Sequence, residues 1–316
     1  MQKHVMLLLA YIVLIACLGM FLTGFEGAPE EGSSRWVGLV AVSQLGNQLW
    51  SIASAHGIAK ARNARLCIVS GPDNRFVAYS QYIEWLVDPP PACPGFVFIT
   101  WGLWITSVFT PVGDDGRFAA YSSNYILSPA PRIRVDGCLQ SFRYFDADMP
   151  VPFRLLKAKV ARQWVLDREI TAAVHIRRGD KVWDLGNVVP PVHYFRLAIA
   201  KLHSLFPKQQ QRFVVASDDP GWVLAQPLFD GMEVLSSDDP TFDMAVISEC
   251  QHKIISIGTF GWWGAFLNDR GVNGTSAVIY PLPQMEYMKS WGFNNSDYFP
   301  PHWISIEYLS FPETRV

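Results

Sequence analysis

The spacing of apolar residues changes twice along residues 36–69, and it predicts a strand, a helix and a second strand. The apolar run WVGLVAV at 36–42 is typical of a buried strand, and after a turn at 43–47, residues 48–62 place apolar side chains at helical spacing. ARLCIV at 64–69 then returns to strand character. A strand, a helix and a strand in this order form a βαβ unit, which predicts a parallel sheet covered by helices.

A second alternation of helix and strand patterns begins after residue 153. Predicted helices cover 154–169, 192–205, 241–250 and 260–269, and predicted strands cover 171–176, 212–217, 232–235 and 253–257. This order predicts a second Rossmann-like domain with a carboxyl-terminal tail at 154–316, after a first domain at 36–153. The apolar run at 96–109 is too short to cross a bilayer, and we interpret it as buried core or as a partly exposed binding surface.

The amino-terminal segment has a different pattern, because Val5–Phe25 contains 21 residues without a formal charge. About 20 apolar residues suffice for a helix to cross a bilayer, whereas the apolar core of a cleaved signal peptide is about 7 to 15 residues long. Length therefore favours an uncleaved anchor over a signal peptide, with residues 1–4 cytosolic and 26–35 as a short stem. Lys3 beside the anchor would then place the rest of the chain in the lumen of the secretory pathway.

Sequons and cysteines agree with a lumenal placement. Asn273 and Asn294 each begin an N-x-S/T triplet, a weak signal on its own. Four cysteines would be lumenal, namely Cys67, Cys93, Cys138 and Cys250. An even number suits disulfide bonds in an oxidising compartment, although four buried thiols are the alternative, and the spacing does not fix any pairing.

The charge balance is nearly neutral, with 26 Lys and Arg against 28 Asp and Glu. No global field therefore favours nucleic acid or an anionic surface, and an anionic ligand must be bound by a local cluster. The chain also contains 12 Trp and 11 Tyr, a content common in carbohydrate-handling proteins, although most of these rings are expected to fill the core.

Three loops with polar side chains follow predicted strands of the second domain: HIRRGD at 175–180, ASDDP at 216–220 and GTFGWWG at 258–264. The carboxyl ends of parallel strands line the ligand crevice of such a sheet, so these loops should meet. Arg177 and Arg178 offer two planar forks, and a helix starting at Thr259 offers backbone N–H groups, which together predict a diphosphate site. A purely structural Arg–Asp ion pair is the alternative for HIRRGD.

Other polar residues in these loops have both a functional and a structural interpretation. Asp218, Asp219 and Asp243 are candidates for the base or ribose of a nucleotide, but aspartates also cap turns and helices. His175 is a candidate orienting or nucleotide-contacting group, but a histidine at the end of a strand is often a core residue. The Trp262–Trp263 pair is similarly more typical of core packing than of ligand stacking.

A functional metal is not expected, because no His/Cys cluster has ligand spacing. The one DxD sequence, Asp146-Ala147-Asp148, has no strand before it. Arginines would then neutralise the charge on a leaving diphosphate in place of a cation.

Several motifs in order resemble those of animal galactoside alpha-1,2-fucosyltransferases. These motifs are LGNQL at 45–49, HIRRGD at 175–180, DMAVISEC at 243–250, ISIGTFGWW at 255–263 and YFPPHWI at 298–304. The resemblance spans about residues 37 to 306, and motifs in a shared order are far more specific than any one of them.

The resemblance implies a type II membrane enzyme of the Golgi with a GT-B-like fold, an acceptor-side domain at 36–153 and a donor domain at 154–316. It implies inverting transfer of L-fucose from GDP-fucose to a β-galactoside of a glycoprotein or glycolipid, without a metal or another cofactor. The residues implied for the GDP site are His175, Arg177, Arg178, Asp180, Asp218, Asp243, Thr259 and Phe260. Among them, Arg177 would bind the β-phosphate, and Arg178 would support the loop or bind the α-phosphate.

The sequence does not identify the base that would deprotonate the attacking hydroxyl, and an oxocarbenium-like transition state needs little help from one; Asp180 and Asp184 are the nearest carboxylates. Asp184 is our hypothesis, because Asp180 is better placed to orient an arginine. Two other functions stay open at this point: another fucosyltransferase, of the protein O- or α1,6-type, and an inactive glycan-binding protein. The intact arginine cluster argues against a binder, since a pure lectin has no use for a phosphate clamp.

Overall fold

The computed structural model describes most of the chain between residues 35 and 308. The described residues are 35–40, 44–68, 82–93, 97–99, 103–105, 109–112, 119–137, 139–145, 151–184, 189–235, 237–269, 274–282 and 293–308. The predicted cytosolic tail and anchor, the stem up to residue 34, the Asp146–Asp148 motif and Asn273 of the first sequon lie outside these residues. Within the described ranges, no helix has the length and hydropathy required to cross a membrane.

The described residues form mixed α/β structure with 14 short strands and nine α-helices. The strands are β1 Trp36–Leu39, β2 Arg65–Ile68, β3 Ile83–Trp85, β4 Val97–Ile99, β5 Leu103–Ile105, β6 Thr110–Val112, β7 Arg132–Val135, β8 Phe153–Leu155, β9 Ala172–Ile176, β10 Phe213–Ser217, β11 Glu233–Leu235, β12 His252–Ile254, β13 Val278–Pro281 and β14 Ile304–Ile306. The helices are α1 Leu45–Ala61, α2 Asn124–Leu127, α3 Ala158–Asp167, α4 Lys181–Asp184, α5 Val192–Leu205, α6 Pro220–Leu224, α7 Pro240–Glu249, α8 Thr259–Phe266 and α9 Asn295–Tyr298.

The amino-terminal half contains a parallel sheet in the order β2-β1-β7-β6. The predicted βαβ unit is confirmed, because β1 and β2 pair in parallel on either side of α1 in the chain. This helix has few charged side chains and is buried along most of its length.

The carboxyl-terminal half contains a six-stranded parallel sheet in the order β11-β10-β9-β12-β13-β14. The central strand β9 is fully buried, as its apolar run AAVHI predicts. Chain order and spatial order diverge at β9, which pairs with β10 on one side and with β12 on the other. A crevice is expected at such a switch point, beyond the carboxyl ends of these strands.

The sequence interpretation was wrong at several element boundaries; for example, the strand predicted at 253–257 covers His252–Ile254 and the helix predicted at 260–269 covers Thr259–Phe266. The predicted helix 154–169 is shorter, because Phe153–Leu155 pairs as β8 with β3 and α3 covers only Ala158–Asp167. The helix predicted at 48–62 begins earlier, at Leu45. Part of the 96–109 run forms the hairpin of β4 and β5, whose side chains lie outside the described part of the structure.

An aromatic core joins the two halves. Trp50 of α1 packs on Trp262 of α8 with ring centroids 4.1 Å apart, and Phe145 stacks on Trp263 at 5.7 Å. All three indoles have no exposed surface. Core packing is therefore the observed role of the Trp262–Trp263 pair, and it fixes α8 against the amino-terminal half.

The cysteines divide between a disulfide and a free thiol. Cys67 and Cys93 form a disulfide bond, whereas Cys250 is buried and free. Cys138 lies outside the described residues. The alternative of four free thiols is therefore wrong for the first pair.

Candidate active site

The three polar loops meet at the carboxyl edge of the second sheet. Adjacent strands β10, β9 and β12 end at Ser217, Ile176 and Ile254 respectively. The loop after β12 binds the loop after β9, because the Arg177 backbone N–H donates to the Ser256 hydroxyl at 2.7 Å. The convergence that the sequence predicts is thus confirmed.

Arg177 lies between two carboxylates. Its guanidinium forms ion pairs with Asp218 through one terminal nitrogen and with Asp180 through the other. The side chain keeps 24% of its surface exposed, so the guanidinium is fixed in position and still reachable from solvent. The Arg–Asp ion pairs of the structural interpretation are thus present, and a partly exposed guanidinium also suits an anion-binding loop.

Arg178 has a different role in the same loop. Its guanidinium lies 4.0 Å from the ring centroid of Trp222 and pairs with Asp219 at 3.4 Å, and the side chain is buried. Asp219 also caps α6, accepting from the Trp222 N–H at 3.0 Å. These contacts favour loop support, one of the two roles predicted for Arg178.

Asp218 connects the two arginines. One carboxylate oxygen accepts the Arg178 backbone N–H at 2.7 Å, while the other pairs with the Arg177 guanidinium. The side chain expected at the base or ribose is thus engaged inside the arginine loop, where it fixes the plane of the Arg177 fork.

His175 is a buried, neutral side chain at the end of β9. Burial first, and the nearby Arg177 charge second, lower the pKa of His175 to about 3. The ring packs face to face with Phe260 at 5.7 Å. His175 therefore connects the arginine loop to α8 by packing, which agrees with an orienting role.

Thr259 begins α8 where the two halves of the protein make contact. Gly258 precedes it with φ 95°, a conformation that favours glycine, and no side chain caps the start of α8 within the described residues. Gly46 of α1 lies against Thr259 so closely that a Cβ at residue 46 would lie 2.5 Å from the threonine Oγ1. A glycine at this position therefore lets the first half approach the loop.

Asp243 lies in the first turn of α7, the helix that follows β11 in the chain; β11 is the neighbour of β10 in the sheet. Its carboxylate accepts from the Ser237 hydroxyl at 2.6 Å. Burial is the main cause that raises the pKa of Asp243, partly offset by this hydrogen bond. Beside it is a surface cavity of about 330 Å³, lined by Lys157, Val160, Ser237, Asp238, Asp239 and Phe242.

Two carboxylates follow Arg177 in the chain, and the structure describes the side chain of Asp180 but not that of Asp184. Asp180 also pairs with Lys181 at 3.1 Å, and its pKa is lowered by this hydrogen bond first and by the Arg177 charge next. A carboxylate with a lowered pKa is a poor base, which supports an orienting role. Asp184 ends α4, but its side chain lies outside the described part of the structure.

Sequence reasoning missed three features of the site: Ser256, Trp222 and Gly46. Serine and glycine are too common to be informative, and the stacking of Trp222 on Arg178 joins residues 44 positions apart. In the described ranges, no group of three or more His, Cys, Asp or Glu side chains has a metal-binding arrangement.

Stability should fall as the pH drops below about 6.5, because His175 has a pKa of about 3 when folded and about 6.5 when unfolded. The unfolded chain then binds a proton that the folded chain excludes, so this contribution is complete above the unfolded pKa and is lost toward the folded one. His252, whose pKa is lowered to about 4 chiefly by burial, acts in the same direction.

Urea unfolding at about pH 7.5 and about pH 5.5 should therefore show a free energy of unfolding lower by at least about 1 kcal/mol at the lower pH. This range lies above the usual titration of carboxylates. Equal free energies at both values would contradict the neutral state of the buried His175.

The chain matches the model of Glycosyl transferase family 11 over residues 159–307. A galactoside alpha-(1,2)-fucosyltransferase 2 of Gorilla gorilla gorilla is 31% identical over 292 residues, covering 88% of this chain and 81% of the relative. A galactoside 2-alpha-L-fucosyltransferase of Caenorhabditis elegans is 25% identical, covering 83% of this chain and 76% of the relative. A mouse galactoside alpha-(1,2)-fucosyltransferase 2 aligns over a shorter stretch, at 32% identity and 42% of this chain.

Solved structures also align with this chain. The fucosyltransferase NodZ from Bradyrhizobium aligns with a TM-score of 0.49 at 16% identity, covering 75% of this chain and 94% of NodZ. A family 9 glycosyl transferase from Veillonella parvula aligns with a TM-score of 0.48 at 9% identity, covering 87% of this chain and 86% of that protein.

Proposed function

Since the chain belongs to the galactoside alpha-1,2-fucosyltransferase family, we propose that it transfers L-fucose from GDP-fucose to the 2-hydroxyl of a terminal β-galactoside on a glycan. The observation that carries this proposal is Arg177, held between Asp180 and Asp218 at the crevice and still partly exposed. The relatives from gorilla and from Caenorhabditis elegans are named for the same transfer.

The chemistry requires stabilisation of the departing diphosphate. Arg177 would exchange a carboxylate for the β-phosphate of GDP, and the first N–H groups of α8 at Thr259 and Phe260 would donate to a second phosphate oxygen. A fixed guanidinium fork needs little reorganisation as charge develops on the leaving group. Since the guanidinium supplies this positive charge, we propose that transfer needs no metal or other cofactor.

The nucleoside would lie beside these phosphates along the same edge of the sheet. Asp243 is the proposed acceptor for donors of the guanine base, because its half-buried carboxylate lies in the first turn of α7, the helix that follows β11. The cavity of about 330 Å³ near Ser237 provides adjacent space. His175 would act indirectly, by keeping Phe260 and the start of α8 in place.

The two parallel sheets support a GT-B-like arrangement, in which the first half provides the acceptor side and the second half the donor side. Gly46 and Trp50 bring α1 against α8 at the start of this interface. The attacking galactose would enter between the sheets and displace GDP from the far side of the fucose, inverting the anomeric centre.

The proposed base is Asp184, nine residues after His175 on the segment that leaves the arginine loop. Asp184→Asn should lower kcat by about 10²-fold, the low end for general base catalysis, since an oxocarbenium-like transition state needs less help from a base. GDP affinity should not change. Near-normal turnover in this variant would refute the assignment, and Asp180→Asn, which acts on Arg177, should instead weaken GDP binding.

The proposed transfer is tested with the lumenal residues 36–316 and an acceptor panel in the presence of a chelator. The panel contains β-galactosides, a folded protein acceptor for O-fucosylation and an N-glycan core. The proposal predicts fucose transfer to galactosides alone. Transfer only to protein or to the core would assign another fucosyltransferase function, and glycan binding without any GDP affinity would indicate a glycan-binding protein.

We also propose that the protein is a single-pass type II membrane protein of the Golgi, anchored by Val5–Phe25. The uncharged length of this segment and Lys3 before it support the orientation. We expect a carboxyl-terminal tag to be protected from protease in intact microsomes. We also expect the chain to keep its full length. A secreted, shortened chain would identify the segment as a signal peptide instead.

A further inference from the structure

Trp183 is more exposed than any other large hydrophobic residue that the structure describes, with 83% of its surface accessible. Other tryptophans are inside the protein, among them Trp50, Trp262 and Trp263. An exposed indole presents a flat apolar surface with a polar edge, which is why Trp is enriched where proteins bind ligands or partners.

The position of Trp183 is fixed by the arginine loop. α4 is the single turn that continues this loop, because the Val182 N–H donates to the Arg178 carbonyl at 3.1 Å and the Trp183 N–H to the Asp180 carbonyl at 3.1 Å. Asp180 in turn pairs with the Arg177 guanidinium. The backbone of Trp183 is therefore hydrogen-bonded to Asp180, whose carboxylate holds the guanidinium of Arg177.

A single exposed apolar residue elsewhere on the surface would need no explanation. Leu127 and Leu224 are such residues, with 72% and 71% exposed. Trp183 differs from them because it follows the central strand of the sheet at the carboxyl edge, where the ligand crevice of such folds lies. The neighbouring Asp180 and Lys181 are charged and bound to one another, so Trp183 supplies the apolar surface of this loop.

We propose that the ring of Trp183 is a platform for the acceptor sugar, packing against the apolar C–H face of the galactoside. This inference rests on the proposed function and deepens it by naming a residue that determines acceptor affinity. The donor phosphates belong to Arg177, and the attacking sugar must lie within about one sugar's width of them for the reacting atoms to meet. Trp183 follows Arg177 by six residues, on the single turn that leaves the arginine loop, and its exposed ring is the apolar surface proposed to hold that sugar.

The test compares Trp183→Ala and Trp183→Phe with the wild-type lumenal protein. Trp183→Ala should raise the KM for the galactoside about 10-fold, a typical loss for a Trp anchor, while the Kd for GDP measured by calorimetry stays the same. Trp183→Phe keeps an aromatic face and should recover part of the affinity. Leu224→Ala is the matched control, since it removes an equally exposed apolar side chain after β10 and should change neither constant.

An unchanged galactoside KM in Trp183→Ala, with an active wild-type protein, would overturn the platform and leave the proposed function intact. A parallel loss of GDP affinity would also overturn it, because the indole would then act on the arginine loop itself. If the wild-type protein transferred fucose to no galactoside, the proposed function would fail, and the platform with it.

Discussion

Arg177→Ala should reduce kcat/KM for fucosyl transfer by about 10³-fold and leave the fold intact. The guanidinium is fixed by two carboxylates, Asp180 and Asp218, and the side chain still keeps 24% of its surface exposed. The substitution removes a positive charge whose attraction to the diphosphate is strongest when the diphosphate leaves. GDP affinity should fall as well, because the β-phosphate loses its partner in the ground state.

Two further variants separate this effect from a general loss of charge. Arg177→Lys keeps the charge but not the planar fork, so it should recover only part of the activity. Arg154→Ala is the matched control, because Arg154 also forms a two-pronged ion pair, with both nitrogen–oxygen distances to Glu84 at 2.7 Å, on the remote β3–β8 pair. Arg154→Ala should keep full activity. Wild-type activity in Arg177→Ala as well would show that Arg177 is not part of the donor site.

Gly261→Ala should strongly destabilise the second half of the protein. A Cβ at residue 261 would lie 2.2 Å from Nδ1 of His175, and the histidine, only 4% exposed at the end of β9, has no space to move. Overpacking of a closed core costs about 3 kcal/mol at the upper end of its usual range. The clash would also displace the start of α8, so the remaining folded protein should bind GDP poorly.

The measurement is the urea midpoint together with GDP affinity. Gly221→Ala is the control in another helix, α6, where the nearest atom to the new Cβ, a carboxylate oxygen of Asp219, is 4.0 Å away. That substitution should be neutral or stabilise the protein by about 0.5 kcal/mol, since alanine favours a helix over glycine. A Gly261→Ala variant as stable as Gly221→Ala would show that α8 and β9 are not packed as described.

The position of the site was predictable because it depends on local pattern. Apolar runs identify β9, β10 and β12 without knowledge of their neighbours, and the loops that follow parallel strands share one edge of the sheet. The arginine loop and the start of α8 were therefore brought together correctly. The family motifs, in shared order, then connected this edge to a nucleotide sugar.

The missed features depend on contacts between residues distant in the chain. β3 and β8 are three residues long and pair across about 70 positions, so neither has enough length to show a period. The early start of α1 is stabilised by the approach of Gly46 to Thr259, more than 200 positions away. The stacking of Arg178 on Trp222 similarly buries one of the two arginines of the loop, and no spacing rule predicts it.

The central claim is that this chain forms an α1,2 linkage between fucose and galactose with donor GDP held at Arg177. The most direct measurement is the structure of the product made by residues 36–316 from GDP-fucose and a β-galactoside, determined by NMR. An α-linked fucose on the 2-hydroxyl of galactose is the predicted result, and the product should disappear with Arg177→Ala. A β linkage, or fucose on another hydroxyl, would contradict the account.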